Sequence, residues 1–297
     1  MLCSRGVRVG FRGAAADVSE WPGAGSEYLH SIGMDAEGRA LFLGTHFGLF
    51  RSENAGATWK PVPVVTGHPH LDVMSITPHP RDPLTIYLGT HSAGVFRTAD
   101  GGAMWVEVNR GFASLDVHGV AVDPDDPAVV YAAVLGVGRG IYRTVDGEAQ
   151  WGCVFEGPTG QVMALALVRL PSEMEGKRLY VGTTKELFRR PDRRAGRWSP
   201  VSSLSTYGGV NALAVTAADP SVMYLVARNE VLKSTDHGSN WSSVARADQN
   251  LAAIAMNPRR PAEGYVISDQ GAILETTDGG VTWQRLQGGA IRAEMRR

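Results

Sequence analysis

Hydrophobic and polar positions alternate along this chain in short runs, each closed by glycine, proline, aspartate or asparagine. VMSITP (73–78), TIYLGT (85–90) and GVFRTAD (94–100) are three such runs in succession. Two-residue alternation bounded by turn formers predicts β-strands, and no stretch of useful length carries the helical period. The runs come in sets of four, here strands A to D, with a tryptophan opening strand D. Those tryptophans stand at 59, 105, 151, 198, 241 and 283, so the repeat is 46, 46, 47, 43 and 42 residues. That is the period of a four-stranded propeller blade.

A blade that is apolar on both faces is stable only between neighbours in a ring. Strand A carries Leu29, Val73, Val117, Val162, Val210 and Leu251, and three residues further on Ile32, Ile76, Val120, Leu165, Leu213 and Ile254. Successive strand side chains point to opposite faces, so a spacing of three predicts that the two sets feed both faces of the blade. The expected fold is all-β: one β-propeller domain over residues 1–297, made of four-stranded antiparallel blades. The full repeats are expected at about 28–62, 72–108, 116–154, 161–201, 209–244 and 250–286. The flanks extend this to seven blades. Phe11 and Trp21 keep the ten-residue spacing of Phe188 and Trp198, and GGAIRAEM begins where another strand A is due. Residues 1–27 and 287–297 are therefore expected to share a split closing blade, with a six-bladed ring as the alternative.

The turn between strands C and D is the most repetitive part of the chain. TADGGAMW, STDHGSNW and TTDGGVTW are full copies of one pattern, while SENAGATW has Asn54 for the aspartate, TVDGEAQW has Glu148 for the glycine, and the fourth copy, around Asp192, has one inserted residue. The aspartate can accept loop amides, the glycine can take a positive φ, and the tryptophan can bury a large ring between strands. The pattern resembles the Asp-box, or BNR, repeat family over essentially residues 28–286. The resemblance assigns structural roles to Asn54 and Trp59; to Asp100, Gly102 and Trp105; to Asp146 and Trp151; to Asp192 and Trp198; to Asp236, Gly238 and Trp241; and to Asp278, Gly280 and Trp283. It implies a propeller similar to sialidase-like, photosystem II assembly factor-like or sortilin-like proteins.

Composition changes this picture by exclusion. Thirty acidic residues against 29 basic ones leave a formal net charge of -1, which argues against a nucleic-acid partner. Two cysteines, Cys3 and Cys153, make neither a disulfide framework nor a CxxC metal motif. No apolar run has the length of a membrane span. The opening MLCSRGVRVGFRG lacks the apolar stretch of a signal peptide, so the expected location is cytoplasmic as written, or exported if a leader has been removed.

Antiparallel topology puts the D–A and B–C loops on one face of the ring and the C–D turns on the other. The first face collects the candidate chemistry. His30, His46, His70, His91 and His118, with Asp72 and Asp116, all fall on it or on strand A just beneath it, within the first three blades. Converging neutral imidazoles can bind a transition metal, with the two aspartates as oxygen ligands or as acceptors behind the histidines. The competing reading is that GTHxxG merely ends a strand and that repeat copies share residues by descent. Arg110, Arg139 and Arg228 are candidate anion-binding residues, since guanidinium groups hold carboxylates bidentately. In sialidase-like relatives such a clamp works with a tyrosine and glutamates, for which Tyr207, Glu156 and Glu230 are the available residues. No GxSxG, Walker loop or HExxH motif is present. The expected function is a binding or assembly module for a protein segment or a small polar or carbohydrate ligand at this face; the alternative is a carbohydrate-active or histidine-metal-dependent enzyme using the same loops.

Overall fold

The structure is a computed structural model that describes residues 29–64, 71–146, 150–171, 176–193 and 195–286. These residues form six four-stranded antiparallel sheets, each a simple meander. The innermost strands are Leu29–Met34, Val73–Pro78, Val117–Val122, Val162–Arg169, Ala212–Val215 and Leu251–Met256. Each is followed outward by strands B, C and D, and the outermost is short, only Val106–Glu107 in the second blade and Gln284–Arg285 in the sixth. Among the described residues the one helical element is a single 3-10 turn, Ser202–Leu204.

Six apolar clusters hold the sheets together, and each draws on two consecutive blades. One joins Phe42 and Leu49 of blade 1 to Val73, Leu88 and Phe96 of blade 2; another joins Tyr265 and Ile267 of blade 6 to Leu29, Leu41, Leu43 and Trp59 of blade 1. The ring therefore closes with six blades, and this overturns the seventh. Blade 6 packs on blade 1 through a core like the other five, and polar contacts add to it: Arg259 donates to Glu37 Oε1 at 2.6 Å. No gap remains for another sheet. The segments expected to build one, 1–27 and 287–297, lie outside the described residues.

A second correction concerns strand A. In five of the six blades the A–B pairing shifts register at the second residue of the strand: His30, Met74, His118, Met163 and Ala252 are extra residues between paired neighbours. Leu29 faces Thr45 and Ile32 faces Leu43, two residues apart on strand B, so both lie on one face and enter the same cluster. The same is true of Val117 with Val120 and of Leu251 with Ile254. A β-bulge adds one residue to one strand and re-aims a side chain. It turns a spacing of three into an effective two, so the two apolar sets fill one interface rather than both faces.

The C–D turns are bonded alike in the matching copies. Thr98 Oγ1 donates to Asp100 Oδ1 at 2.7 Å, that oxygen accepts the Met104 amide at 2.9 Å, and the Gly102 amide donates to Thr98 Oγ1 at 2.9 Å. Gly101 and Gly102 take φ of +73° and +98°, left-handed values that favour glycine. Asn54 makes the same contacts through its amide oxygen. In two of the divergent copies the tryptophan changes partner. Trp241 and Trp283 donate to Gly238 and Gly280 of their own turns, whereas Trp151 reaches the Val108 carbonyl of the preceding blade at 2.6 Å and Trp198 that of Glu156 at 2.7 Å. Asp192, in the inserted copy, accepts the Tyr131 hydroxyl of blade 3 at 2.8 Å.

Candidate functional site

The inner strands surround a central channel. Ile32, Ile76, Val120, Leu165, Leu213 and Ile254 border two cavities at once and form its waist. On the A–B side lies an apolar cavity of about 260 Å³, lined among others by Met34, Pro78, Val122, Val215 and Met256. On the D–A/B–C side lies a polar one of about 100 Å³, reached past His30, Met74, His118, Met163 and Asn211. His30 and His118 sit at the channel because the bulge falls on them.

Each GTH segment sets a second histidine above the first. Gly44 lets strand B approach the next blade: a Cβ there would stand 2.6 Å from the Val73 carbonyl oxygen. Thr45 Oγ1 accepts the Phe47 amide and donates to the Gly48 carbonyl, closing the loop that carries His46. Thr90 Oγ1 likewise donates to Gly94 O at 2.8 Å and accepts the Ala93 amide, and so presents His91. The aspartates arrive on the D–A loops. Their backbone is tied to the B–C loops, with the His91 amide donating to Asp72 O at 3.0 Å and the Leu135 amide to Asp116 O at 2.7 Å.

The sequence-predicted residues gather as two triads, one between blades 1 and 2 and one between blades 2 and 3, rather than as a single convergence of histidines. At the first, Asp72 (8% exposed) lies between His46, whose Nδ1 is 2.9 Å from Oδ2, and His30, whose Nε2 is 3.2 Å from Oδ1. The His30 contact is out of hydrogen-bonding alignment, and neither of its two buried atoms has another hydrogen-bond partner among the described residues. At the second, Asp116 Oδ1 is 3.0 Å from His91 Nδ1 and 2.9 Å from His118 Nε2, and those two nitrogens are 3.4 Å apart. His118 is 4% exposed. Burial lowers the His30 pKa from its ordinary value, Asp72 opposes it, and His46 and His91 add to the lowering. Burial also lowers that of His118, against Asp116 and together with His91. Both imidazoles are thus favoured neutral, with lone pairs available.

The other candidates are not drawn into this arrangement. His70 lies outside the described residues. Arg110, Arg139 and Arg228 are exposed on three separate loops, and no hydrogen bond or ion pair joins them among the described residues. The Arg110 carbonyl accepts the Trp151 amide, which draws its loop toward the outer strand of blade 3. Tyr207 packs against the core between blades 4 and 5, Glu230 is ion-paired to Arg246, and the Glu156 carbonyl holds Trp198. Phe47, 49% exposed, meets the His46 ring edge-on at 5.3 Å and was not singled out from the sequence. Its signal was an aromatic directly after the loop histidine in THFG.

No family model matches the chain. It is 25% identical over 281 residues to a xyloglucanase of Paenibacillus sp, a match taking in 77% of this chain and 27% of that protein. The chain thus spans little more than a quarter of that relative. Among solved structures it is similar to a GH74 enzyme of Niastella koreensis, with a TM-score of 0.59 at 16% identity over 86% of this chain and 46% of the other. It is also similar to YCF48 bound to a D1 peptide, with a TM-score of 0.54 at 18% identity over 88% of this chain and 81% of the other. These likenesses and the six closed sheets make the chain a β-propeller of four-stranded antiparallel blades.

Proposed function

We propose that this chain is a binding propeller of the Asp-box kind, which takes a segment of a partner protein across the D–A/B–C mouth of blades 1 to 3. The observation that carries the reading is the condition of the two mouth carboxylates. Asp72 and Asp116 each contact two imidazoles. A glycosidase needs one carboxyl group held protonated and a second ionised, about 5 to 9 Å apart across the scissile bond. Each of these carboxylates instead sits against two imidazoles at its own blade junction, with no second carboxylate in its triad. Around them the B–C loops expose Phe47 and Val137 as apolar contacts, with Arg139 and Arg228 on the same face. An aromatic anchor within a polar rim suits a polypeptide. The D1 peptide bound by YCF48 supports the reading, since this chain covers most of that propeller.

A carbohydrate-active enzyme is the second reading, favoured by the identity to a xyloglucanase over 77% of this chain. One experiment separates the two. Peptides selected from a displayed random library are titrated by fluorescence anisotropy against the protein and its Phe47→Ala variant, beside an assay for reducing ends released from xyloglucan. Loss of a buried aromatic anchor costs about 1–2 kcal/mol, so affinity is expected to fall roughly tenfold. Release of sugar ends together with no selectable peptide would overturn the binding reading in favour of the enzyme.

A further inference from the structure

We propose that each of the two blade junctions at the mouth holds one divalent transition-metal ion of the zinc class, bound by two imidazoles and one carboxylate. The second junction has the ligand atoms in place. His91 Nδ1, His118 Nε2 and Asp116 Oδ1 form a triangle with edges of 3.0, 2.9 and 3.4 Å. Its circumscribed radius is about 1.8 Å, so a point about 2.05 Å from all three atoms, the usual zinc–ligand length, lies about 1 Å off their plane. A tetrahedral ion occupies that kind of position, with its fourth site left open on the far side. Two nitrogens and one oxygen suit zinc, cobalt or nickel better than calcium or magnesium, which take all-oxygen sets.

The first junction supplies an independent observation. His30 Nε2 and Asp72 Oδ1 are buried 3.2 Å apart without a hydrogen bond, between themselves or to any described residue. Two buried polar atoms this close without a hydrogen bond are what a shared cation reconciles. The two junctions are not copies of one arrangement. In the first, the channel histidine comes from the blade that also carries His46; in the second it comes from the following blade, two residues after Asp116. The position equivalent to His30 at the second junction is Met74, and so is the position equivalent to His118 at the first. The same donor set is thus assembled twice, with the channel histidine supplied from opposite sides of the junction.

This inference does not depend on what spans the mouth. The full chain, stripped with EDTA and dialysed, is titrated with Co²⁺ and Zn²⁺, following the visible cobalt bands and the metal content by mass spectrometry. Two ions per chain are expected, one lost with His91→Ala and the other with His46→Ala. Both histidines are at the surface, so these variants leave the buried network folded; unchanged circular dichroism checks this. No bound metal, or a stoichiometry that neither variant changes, would overturn the proposal and leave a hydrogen-bonded imidazole–carboxylate rim. One ion lost with His91→Ala alone would overturn it for the first junction.

Discussion

Gly44 joins the architecture to the candidate site, and replacing it tests both. A Cβ at this position would stand 2.2 Å from Ser31 Oγ, 2.6 Å from the Val73 carbonyl oxygen and 2.7 Å from Val73 Cγ1. The Ser31 hydroxyl can rotate away, but it then gives up its 2.9 Å bond to that carbonyl, worth about 1 kcal/mol. Val73 belongs to the inner strand of the next blade and cannot yield alone, so the junction must open by roughly 0.6 Å, and overpacking of this kind costs about 1–3 kcal/mol. Gly44→Ala is therefore expected to lose about 2–4 kcal/mol, a fall in melting temperature of roughly 3–6 °C for a chain of this size. Gly89→Ala, with 2.5 and 2.9 Å to Ser75 Oγ and Val117 O, should lose less. Gly152, with nothing within 4 Å of its Cβ, should tolerate alanine without loss. Differential scanning calorimetry of the three variants gives the order. Equal melting of Gly44→Ala and Gly152→Ala would refute the close approach of blades 1 and 2. Val73 is the neighbour of Asp72, so the same displacement should also disturb the His30–His46–Asp72 triad, read as a change in its imidazole resonances.

Three further outcomes follow from contacts elsewhere in the ring. Trp151→Phe, at a residue 1% exposed, removes the donor to the Val108 carbonyl and is expected to cost about 1–3 kcal/mol by urea denaturation, more than Trp241→Phe, whose partner lies in its own turn. Lys177 Nζ lies 2.6 Å from both oxygens of Asp123, itself 3% exposed. Burial works against the Lys177 charge but Asp123 outweighs it and raises the pKa. Lys177→Met would strand a buried carboxylate at a cost of about 3 kcal/mol, and Asp123→Asn in the same chain should restore part of the loss. Hydrogen bonds from the Thr282 hydroxyl and amide hold the Asp278 pKa down to about 2; for Asp236 burial pushes upward, but the bonds from Asn240 and Ser234 prevail and the value is again about 2. A carboxylate depressed on folding adds stability that is complete above its ordinary pKa and is lost as pH falls from about 4 towards 2. Asp278→Asn should flatten that acid limb while leaving stability at neutral pH nearly unchanged, because Asn54 makes the same turn contacts; an unaltered limb would exclude Asp278 from it.

Much of this protein is written locally. The alternating runs, the six tryptophans and the turn pattern are decided within a few residues of one another, because strand propensity and turn hydrogen bonds act at that range. Thr98 with Asp100, and Ser234 with Asp236, are bonded at a separation of two, so their pattern on the page is already their contact. The strand order put every described histidine of the candidate set on one face. What the sequence did not carry was anything settled between blades. The number of blades depends on whether blade 6 meets blade 1, some 220 residues apart at the Arg259–Glu37 contact, and the decayed flank motifs hold no record of that interface. The bulge that turns His30 and His118 to the channel is a property of pairing with strand B, invisible in the strand's own alternation. For the same reason the division of the histidines into two triads, and the scattering of the arginines, came only from the tertiary structure. His46 and Asp72 are 26 residues apart and His91 and Asp116 are 25 apart, and only the packing of one blade on the next sets which side chains meet.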